Sequence, residues 1–259
     1  MDLVEARMSG VPVLRTHALV KRFGGITATD HVSLSLLRGA RHALIGPNGA
    51  GKTTLINQLT GMLTPTSGRV ELDGQDITTL APHRRVALGL ARTFQINQLF
   101  NTLNPAQSLS LAVASRMDAA RRWWQPVGAD ANIAAEADAL LAQFRLQDHA
   151  QQATATLPYG KRRLLEIALA VALKPSVLLL DEPAAGVPAS ERADILATIA
   201  ALPADVSVLL IEHDMDLVFS FATRITVLVN GAVLTEGPPE QIAADPRVQA
   251  VYLGEAAHD

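Results

Sequence analysis

Eight consecutive residues, Gly46-Pro47-Asn48-Gly49-Ala50-Gly51-Lys52-Thr53, keep the spacing G-x-x-x-x-G-K-[ST]. That spacing suits a chain of phosphates. The glycines let successive backbone N–H groups turn inward around phosphate oxygens, and a helix opening behind them adds the positive end of its dipole. Lys52 reaches the β- and γ-phosphates in such an arrangement, the Thr53 hydroxyl serves as a Mg²⁺ ligand, and Thr54 lies next to it. The bland reading is a glycine-rich strand-to-helix turn that binds nothing. The apolar run His42-Ala43-Leu44-Ile45 before the loop and the helical pattern after it argue for the phosphate reading.

Two acidic segments supply the remaining chemistry. Ser176-Val177-Leu178-Leu179-Leu180-Asp181-Glu182-Pro183 sets two carboxylates at the end of an apolar strand. Ligands of open α/β sheets bind at the carboxyl ends of the strands. Asp181 is therefore expected to hold the Mg²⁺ shell, and Glu182 to polarise an attacking water as general base. A turn-capping role accounts for one strand-ending acid better than for two. Val206–Ile211 leads in the same way into Glu212-His213-Asp214. A lone histidine is more often structural, but at the end of a strand predicted to neighbour the first, His213 is placed to sense a γ-phosphate.

These groups need a scaffold that delivers them to one edge. Apolar runs at Val32–Leu37, Arg41–Ile45, Val177–Leu180, Val206–Ile211 and Ile225–Val229 read as buried strands. Asn230-Gly231 followed by Ala232–Leu234 predicts a hairpin. Helical patterns lie at Lys52–Leu63, Ala134–Phe144, Gly160–Leu173 and Ser190–Leu202. Strands alternating with helices predict an α/β fold with a largely parallel sheet. From about Asn97 to Leu173 the helical period continues with little strand signal, which predicts an inserted helical subdomain. Arg121–Asn132, with Trp123-Trp124, Pro126 and Gly128, reads as an exposed loop.

The bulk numbers narrow the class. The 259 residues are 49% hydrophobic and 18% charged, a globular composition with enough chain for a sizeable core. A net charge of −3 leaves no electrostatic footprint for nucleic acid, and Arg84-Arg85 and Arg121-Arg122 read as solvated helix faces. Without cysteine there is neither a disulfide framework nor a thiolate metal site. The opening MDLVEARMSGVPVLR lacks the pattern of a signal peptide, and no stretch reaches the roughly 18 apolar residues of a spanning helix. Any membrane role is expected to run through a partner.

In this order the motifs resemble the ATP-binding subunits of ABC transporters, over about Leu14 to Gly254. Leu157-Pro158-Tyr159-Gly160-Lys161-Arg162-Arg163-Leu164-Leu165-Glu166-Ile167-Ala168 looks like the family's signature loop and the helix behind it. Gln95, in Arg92-Thr93-Phe94-Gln95, matches the glutamine that links Mg²⁺ to the helical subdomain. Phe23, in Val20-Lys21-Arg22-Phe23-Gly24-Gly25, matches the aromatic that stacks on adenine, a contact of about 1–3 kcal/mol. The resemblance is nearest to the larger ATPase subunit of branched-chain amino acid importers. It rests on Phe23-Gly24-Gly25, Ala91-Arg92-Thr93-Phe94-Gln95, the Pro-Tyr-Gly signature, Asp181-Glu182-Pro183-Ala184-Ala185-Gly186 and Val251-Tyr252-Leu253-Gly254. Importers of urea and short amides share much of this wording.

The resemblance implies a P-loop NTPase core over 11–96 and 175–235 with an N-terminal antiparallel β subdomain. A helical signature subdomain over 97–174 and a helical tail over 236–259 complete it. ATP and Mg²⁺ are the implied ligands, with Tyr159, Gly160 and Lys161 facing nucleotide across a dimer and Glu182, Gln95 and His213 as the hydrolytic set. Implied partners are a second ATPase subunit, two permease subunits and, indirectly, a periplasmic solute-binding protein. The implied place is the cytoplasmic face of the inner membrane, held through the permeases, with no nucleic acid bound. Two departures stand out. The common L-S-G-G-Q signature reads Leu157-Pro158-Tyr159-Gly160-Lys161, so Pro158 removes a hydroxyl and Lys161 replaces a neutral amide with a cation. The loop Ala184-Ala185-Gly186-Val187-Pro188-Ala189 lacks the aspartate many relatives carry. Lipopolysaccharide-export ATPases share the architecture and form the first alternative; a soluble ABC ATPase acting on DNA or ribosomes is the second.

Overall fold

Five- and six-residue runs of Val, Leu and Ile have no polar face to offer water, so they pair side by side as the centre of a sheet. The computed structural model describes residues 10–93, 99–117 and 130–255. Its six-stranded sheet has the order β11-β10-β4-β9-β8-β7. The strands are β4 (Arg41–Ile45), β7 (Leu90–Arg92), β8 (Val177–Asp181), β9 (Ser207–Ile211), β10 (Arg224–Val229) and β11 (Ala232–Gly237). The pairs β10–β4, β4–β9 and β9–β8 are parallel, and β11 returns antiparallel through the Asn230-Gly231 turn. Val177 to Leu180 and Val208 to Leu210 are completely buried, as a sheet covered on both faces requires.

A second, antiparallel sheet holds β1 (Pro12–Phe23), β2 (Ile26–Val32), β5 (Ser67–Leu72) and β6 (Gln75–Asp76) in the order β2-β1-β5-β6, with β3 (Ser35–Leu37) also on β1. The run expected as one strand over Val32–Leu37 is thus divided. β2 ends at Val32, and β3 begins at Ser35 on the same partner.

The chain divides into two compact units. The first takes the chain to Leu90, Ser176–Glu182 and everything from Pro203 onward. It contains both cores built on the strands, helix α1 (Lys52–Thr60), helix α2 (Pro82–Ala87), helix α7 (Met215–Phe221), and the tail helices α8 (Pro239–Ala244) and α9 (Pro246–Glu255). Helix α1 stops short of the expected Leu63 because Gly61 adopts φ 77° and its N–H donates to the Gln58 carbonyl, closing the helix with a left-handed cap.

The second unit spans Ala91–Pro175 and Pro183–Leu202. Its helices are α3 (Pro105–Arg116), α4 (Ala131–Gln143), α5 (Tyr159–Ala172) and α6 (Ala189–Ala200). Asn104 and Gln107 close a reciprocal capping box at α3, and Asp130 caps α4. Asp130's cap starts α4 three residues ahead of the expected Ala134. Ala131 and Asn132, read as the end of a loop, are therefore helical; the rest of that loop through residue 129 lies outside the described residues.

Candidate functional site

The register of the parallel strands decides where the motifs emerge. Leu44 of β4 and Asp181 of β8 both align with Ile211 of β9. The phosphate loop, Asp181-Glu182 and Glu212-His213 thus leave the sheet at one level on three adjacent strands, within roughly 10 Å laterally at ordinary strand spacing.

The phosphate loop is shaped by glycines that have no room for a side chain. Gly46 (φ 152°) would put a Cβ 2.1 Å from the Leu228 carbonyl oxygen, and Gly51 (φ 99°) one 2.2 Å from that of Ala28. Gly51 is also the N-cap of α1, which has neither a side-chain cap nor an acid in its first turn, so its N–H groups are available to an anion. Lys52 is 7% exposed, and its Nζ donates to the Gly46 carbonyl at 2.5 Å and the Pro47 carbonyl at 3.0 Å. Asn48, Gly49 and Thr53 are exposed, Pro47 and Thr54 half-buried, and Ala50 buried. The Ala50 carbonyl accepts from the Gly231 N–H at 2.9 Å, which ties the loop to the β10–β11 turn. The sequence marks Asn230-Gly231 only as a hairpin; nothing in it announces this second task.

Glu182 sits at φ 46°, a left-handed conformation costly for a residue with a Cβ. Its N–H donates to the Ile211 carbonyl at 2.9 Å, which holds the turn against β9. Its Oε1 lies 2.8 Å from His213 Nε2. With an ionised carboxylate accepting, Nε2 carries the proton. Both side chains are about two-fifths exposed, at 41% for Glu182 and 44% for His213. Glu212 is buried and accepts from the His213 N–H at 3.1 Å, fixing the backbone that presents the imidazole. Asp181, half-buried, and the exposed Thr53 hydroxyl offer the hard oxygen donors that Mg²⁺ takes together with waters and substrate phosphates. The donor set fits that ion.

Phe23 is 49% exposed at the tip of the β1–β2 hairpin, and Lys21 Nζ stands 5.3 Å from its ring centroid. Gln95 lies outside the described residues.

In the second unit the signature residues open α5. Tyr159 Oη donates to the Ala185 carbonyl at 3.0 Å, close enough to Gly186 that a Cβ there would meet the hydroxyl at 2.8 Å. Gly160 is buried, and a Cβ on it would come within 2.0 Å of Glu191 Oε2. Lys161 Nζ donates to the Arg145 carbonyl at 3.1 Å. Behind them Arg163 and Glu166 form a buried ion pair at 2.6 Å, with Arg163 Nε also on the Pro183 carbonyl. Burial pushes the Glu166 carboxyl up, and the Arg163 guanidinium partly opposes it. Opposite charges three residues apart in an apolar helix were the available signal for this pair.

A parallel sheet that presents a glycine loop with a buried lysine beside two strand-ending carboxylates defines a nucleotide-hydrolysing cassette. Comparison with known proteins makes this specific. A model of the ABC transporter family matches residues 29–185, and one described as a branched-chain amino acid ATP-binding cassette transporter matches 232–258. The chain is 40% identical over 252 residues to the high-affinity branched-chain amino acid transport ATP-binding protein BraF of Pseudomonas aeruginosa, covering 95% of this chain and 99% of that one. It is 37% identical over 258 residues to the corresponding LivG of Escherichia coli, with the same coverage. A solved ATP-binding cassette of an ABC transporter, in its ADP conformation, superimposes with a TM-score of 0.82 at 30% identity over 94% of this chain and 99% of that one. The chain belongs to the ABC transporter family, as an ATP-binding subunit that hydrolyses ATP.

Proposed function

We propose that this chain is the motor subunit of an importer for branched-chain amino acids or closely related amides. The match of its C-terminal segment, residues 232–258, to the branched-chain amino acid cassette carries the solute class and favours it over lipid export. The placement of three motifs at one level of β4, β9 and β8 carries the chemistry.

In this reading residues 46–54 cradle the triphosphate, Lys52 faces its β- and γ-phosphates, and Phe23 stacks on the adenine. Mg²⁺, held by Thr53, Asp181 and Gln95, would neutralise charge on the phosphate oxygens. Glu182 takes a proton from the attacking water as the water oxygen bonds to the γ-phosphorus and the bond to the ADP oxygen breaks. His213, already paired with Glu182 at 2.8 Å, orients that carboxylate and reads the γ-phosphate. Two such subunits, identical or paralogous, face each other head to tail. The Tyr159-Gly160-Lys161 start of α5 in one then meets the nucleotide of the other. ATP makes contacts that exist only in the closed pair, so it shifts the population toward closure, and hydrolysis releases it. The helical unit carries this motion to permease subunits, which hold the chain at the membrane's cytoplasmic face and receive solute from a periplasmic binding protein. Among the described residues no helix is long and apolar enough to cross a membrane.

Glu182→Gln tests the assignment. Turnover of the complex with its permeases falls by roughly 10²–10⁴-fold, the usual worth of general acid–base help, while ATP binding persists and a closed dimer accumulates. Near-normal turnover removes Glu182 from the role. Uptake of labelled leucine by cells carrying the intact transporter, lost with the same variant, tests the solute class.

A further inference from the structure

Gln58 lies in the last turn of the phosphate-loop helix α1 and is completely buried, an unusual place for a side chain with four hydrogen-bonding positions. Its Oε1 accepts from the Thr29 hydroxyl at 2.9 Å, and its Nε2 reaches the Val20 carbonyl at 3.4 Å. Thr29, also completely buried, is on β2 and Val20 on β1, the two strands whose hairpin ends at Phe23. One residue before Thr29, the Ala28 carbonyl stands over Gly51 at the other end of the same helix, where only a missing Cβ allows the approach. Strand β2 therefore packs closely on α1 at its N-cap and is hydrogen-bonded to it seven residues on, roughly 10 Å along the axis.

The C-terminal end of α1 is fixed from the other side. Arg85, expected on a solvated helix face, is instead 1% exposed, and its guanidinium donates to four carbonyls: Gln58 at 2.7 Å, Leu59 at 2.6 Å, Thr78 at 2.7 Å and Leu80 at 3.0 Å. A cation against the last carbonyls of a helix lies where the dipole favours it. Gln58 thus has its main chain on Arg85 and its side chain on the hairpin strands.

We infer that the Gln58–Thr29 contact is a positioning device that sets the base-stacking hairpin of Phe23 against the phosphate loop, and so determines how much of the ATP affinity comes from the adenine. A hydrogen bond between completely buried groups has one geometry, and water cannot replace it when it breaks. Without it β2 still packs against Gly51 but can pivot, which moves the hairpin while leaving Lys52 and the loop glycines in place. The inference rests on Phe23 being the adenine contact.

The test is calorimetric titration of the full chain with Mg-ATP and with inorganic tripolyphosphate. Thr29→Val and Gln58→Leu each remove the contact while keeping size, and Thr29→Val also keeps the β-branched side chain that suits a strand. Each is expected to weaken Mg-ATP roughly three- to tenfold, the worth of one buried hydrogen bond, with tripolyphosphate binding unchanged. The double variant is expected to lose no more than Gln58→Leu does. Phe23→Ala serves as control and is expected to weaken only Mg-ATP, by about tenfold or more. If Phe23→Ala leaves the ratio of the two affinities unchanged, the adenine reading of Phe23 fails. If Phe23→Ala changes that ratio but Thr29→Val does not, the positioning inference is overturned. Equal losses for both ligands overturn it as well, because they mark a general loosening of the fold.

Discussion

Helices α1 and α5 both begin without a side-chain cap and without an acid in the first turn, yet their N-terminal ends are built in opposite ways. At α1 the backbone does the shaping: left-handed glycines exclude side chains, and the lysine lies against the loop's own carbonyls. At α5 side chains do it. Tyr159 holds the Ala185 carbonyl, Lys161 holds that of Arg145, and the Glu191 carboxylate stands where a Cβ of Gly160 would be. A site made of backbone is ready for phosphate before any ligand arrives. One made of side-chain contacts can rearrange, as the proposed pairing with a second nucleotide-bound subunit requires. The buried arginines repeat the contrast. Arg85 sits among four carbonyls and keeps its charge at the end of α1, whereas Arg163 is matched by Glu166 at 2.6 Å.

The sharpest way to break this comparison is Lys52→Ala. If the loop is preformed and the lysine serves the phosphates rather than the core, the variant loses ATP-driven dimerisation and transport while its thermal unfolding stays near that of the parent. Wild-type hydrolysis by this variant would place the site elsewhere.

A smaller effect lies in the sheet beneath the loop. His42, on β4, donates from Nε2 to the Thr226 hydroxyl at 2.7 Å, because that hydroxyl gives its own proton to Glu236 at 2.6 Å. Its buried Nδ1 has no hydrogen-bond partner. Burial lowers the imidazole from 6.5 to about 4; Glu236 opposes this and Arg224 adds to it. The unfolded chain therefore takes up this proton first. The stability contributed by the neutral ring is complete above about pH 6.5 and is lost as pH falls toward 4, a loss on the order of 3 kcal/mol. Denaturant unfolding at pH 7 and pH 5 reads about 2 kcal/mol of it. The wild type loses stability across that interval, and His42→Gln loses distinctly less; parallel losses would show that His42 is not the group responsible.

The smallest effect probes α5. Gly160→Ala is expected to cost no more than about 1 kcal/mol, since the atom in the way is the far end of a flexible glutamate. In a Glu191→Ala background the same change is expected to stabilise by about 0.5–1 kcal/mol, the helix preference for alanine over glycine. A double-mutant cycle by thermal unfolding reads the difference. Equal effects in both backgrounds would mean that Glu191 does not fill that space.

The amino-acid order by itself determined the phosphate loop, the strand-ending acids and the strands that carry them. Each is a local pattern whose physics is complete within eight or so residues. It also placed His213 beside the acids, since two fully apolar runs with acidic ends have few ways to pair. Three features became visible only in the folded chain. The split of Val32–Leu37 came from pairing on β1, and the left-handed Glu182 from a hydrogen bond to β9. The polar link from Arg85 through Gln58 to Thr29 takes one step of 27 positions and one of 29, and nothing local in the sequence marks it. A buried hydrogen bond takes its value from the water it has lost, and only tertiary packing decides which polar groups lose it.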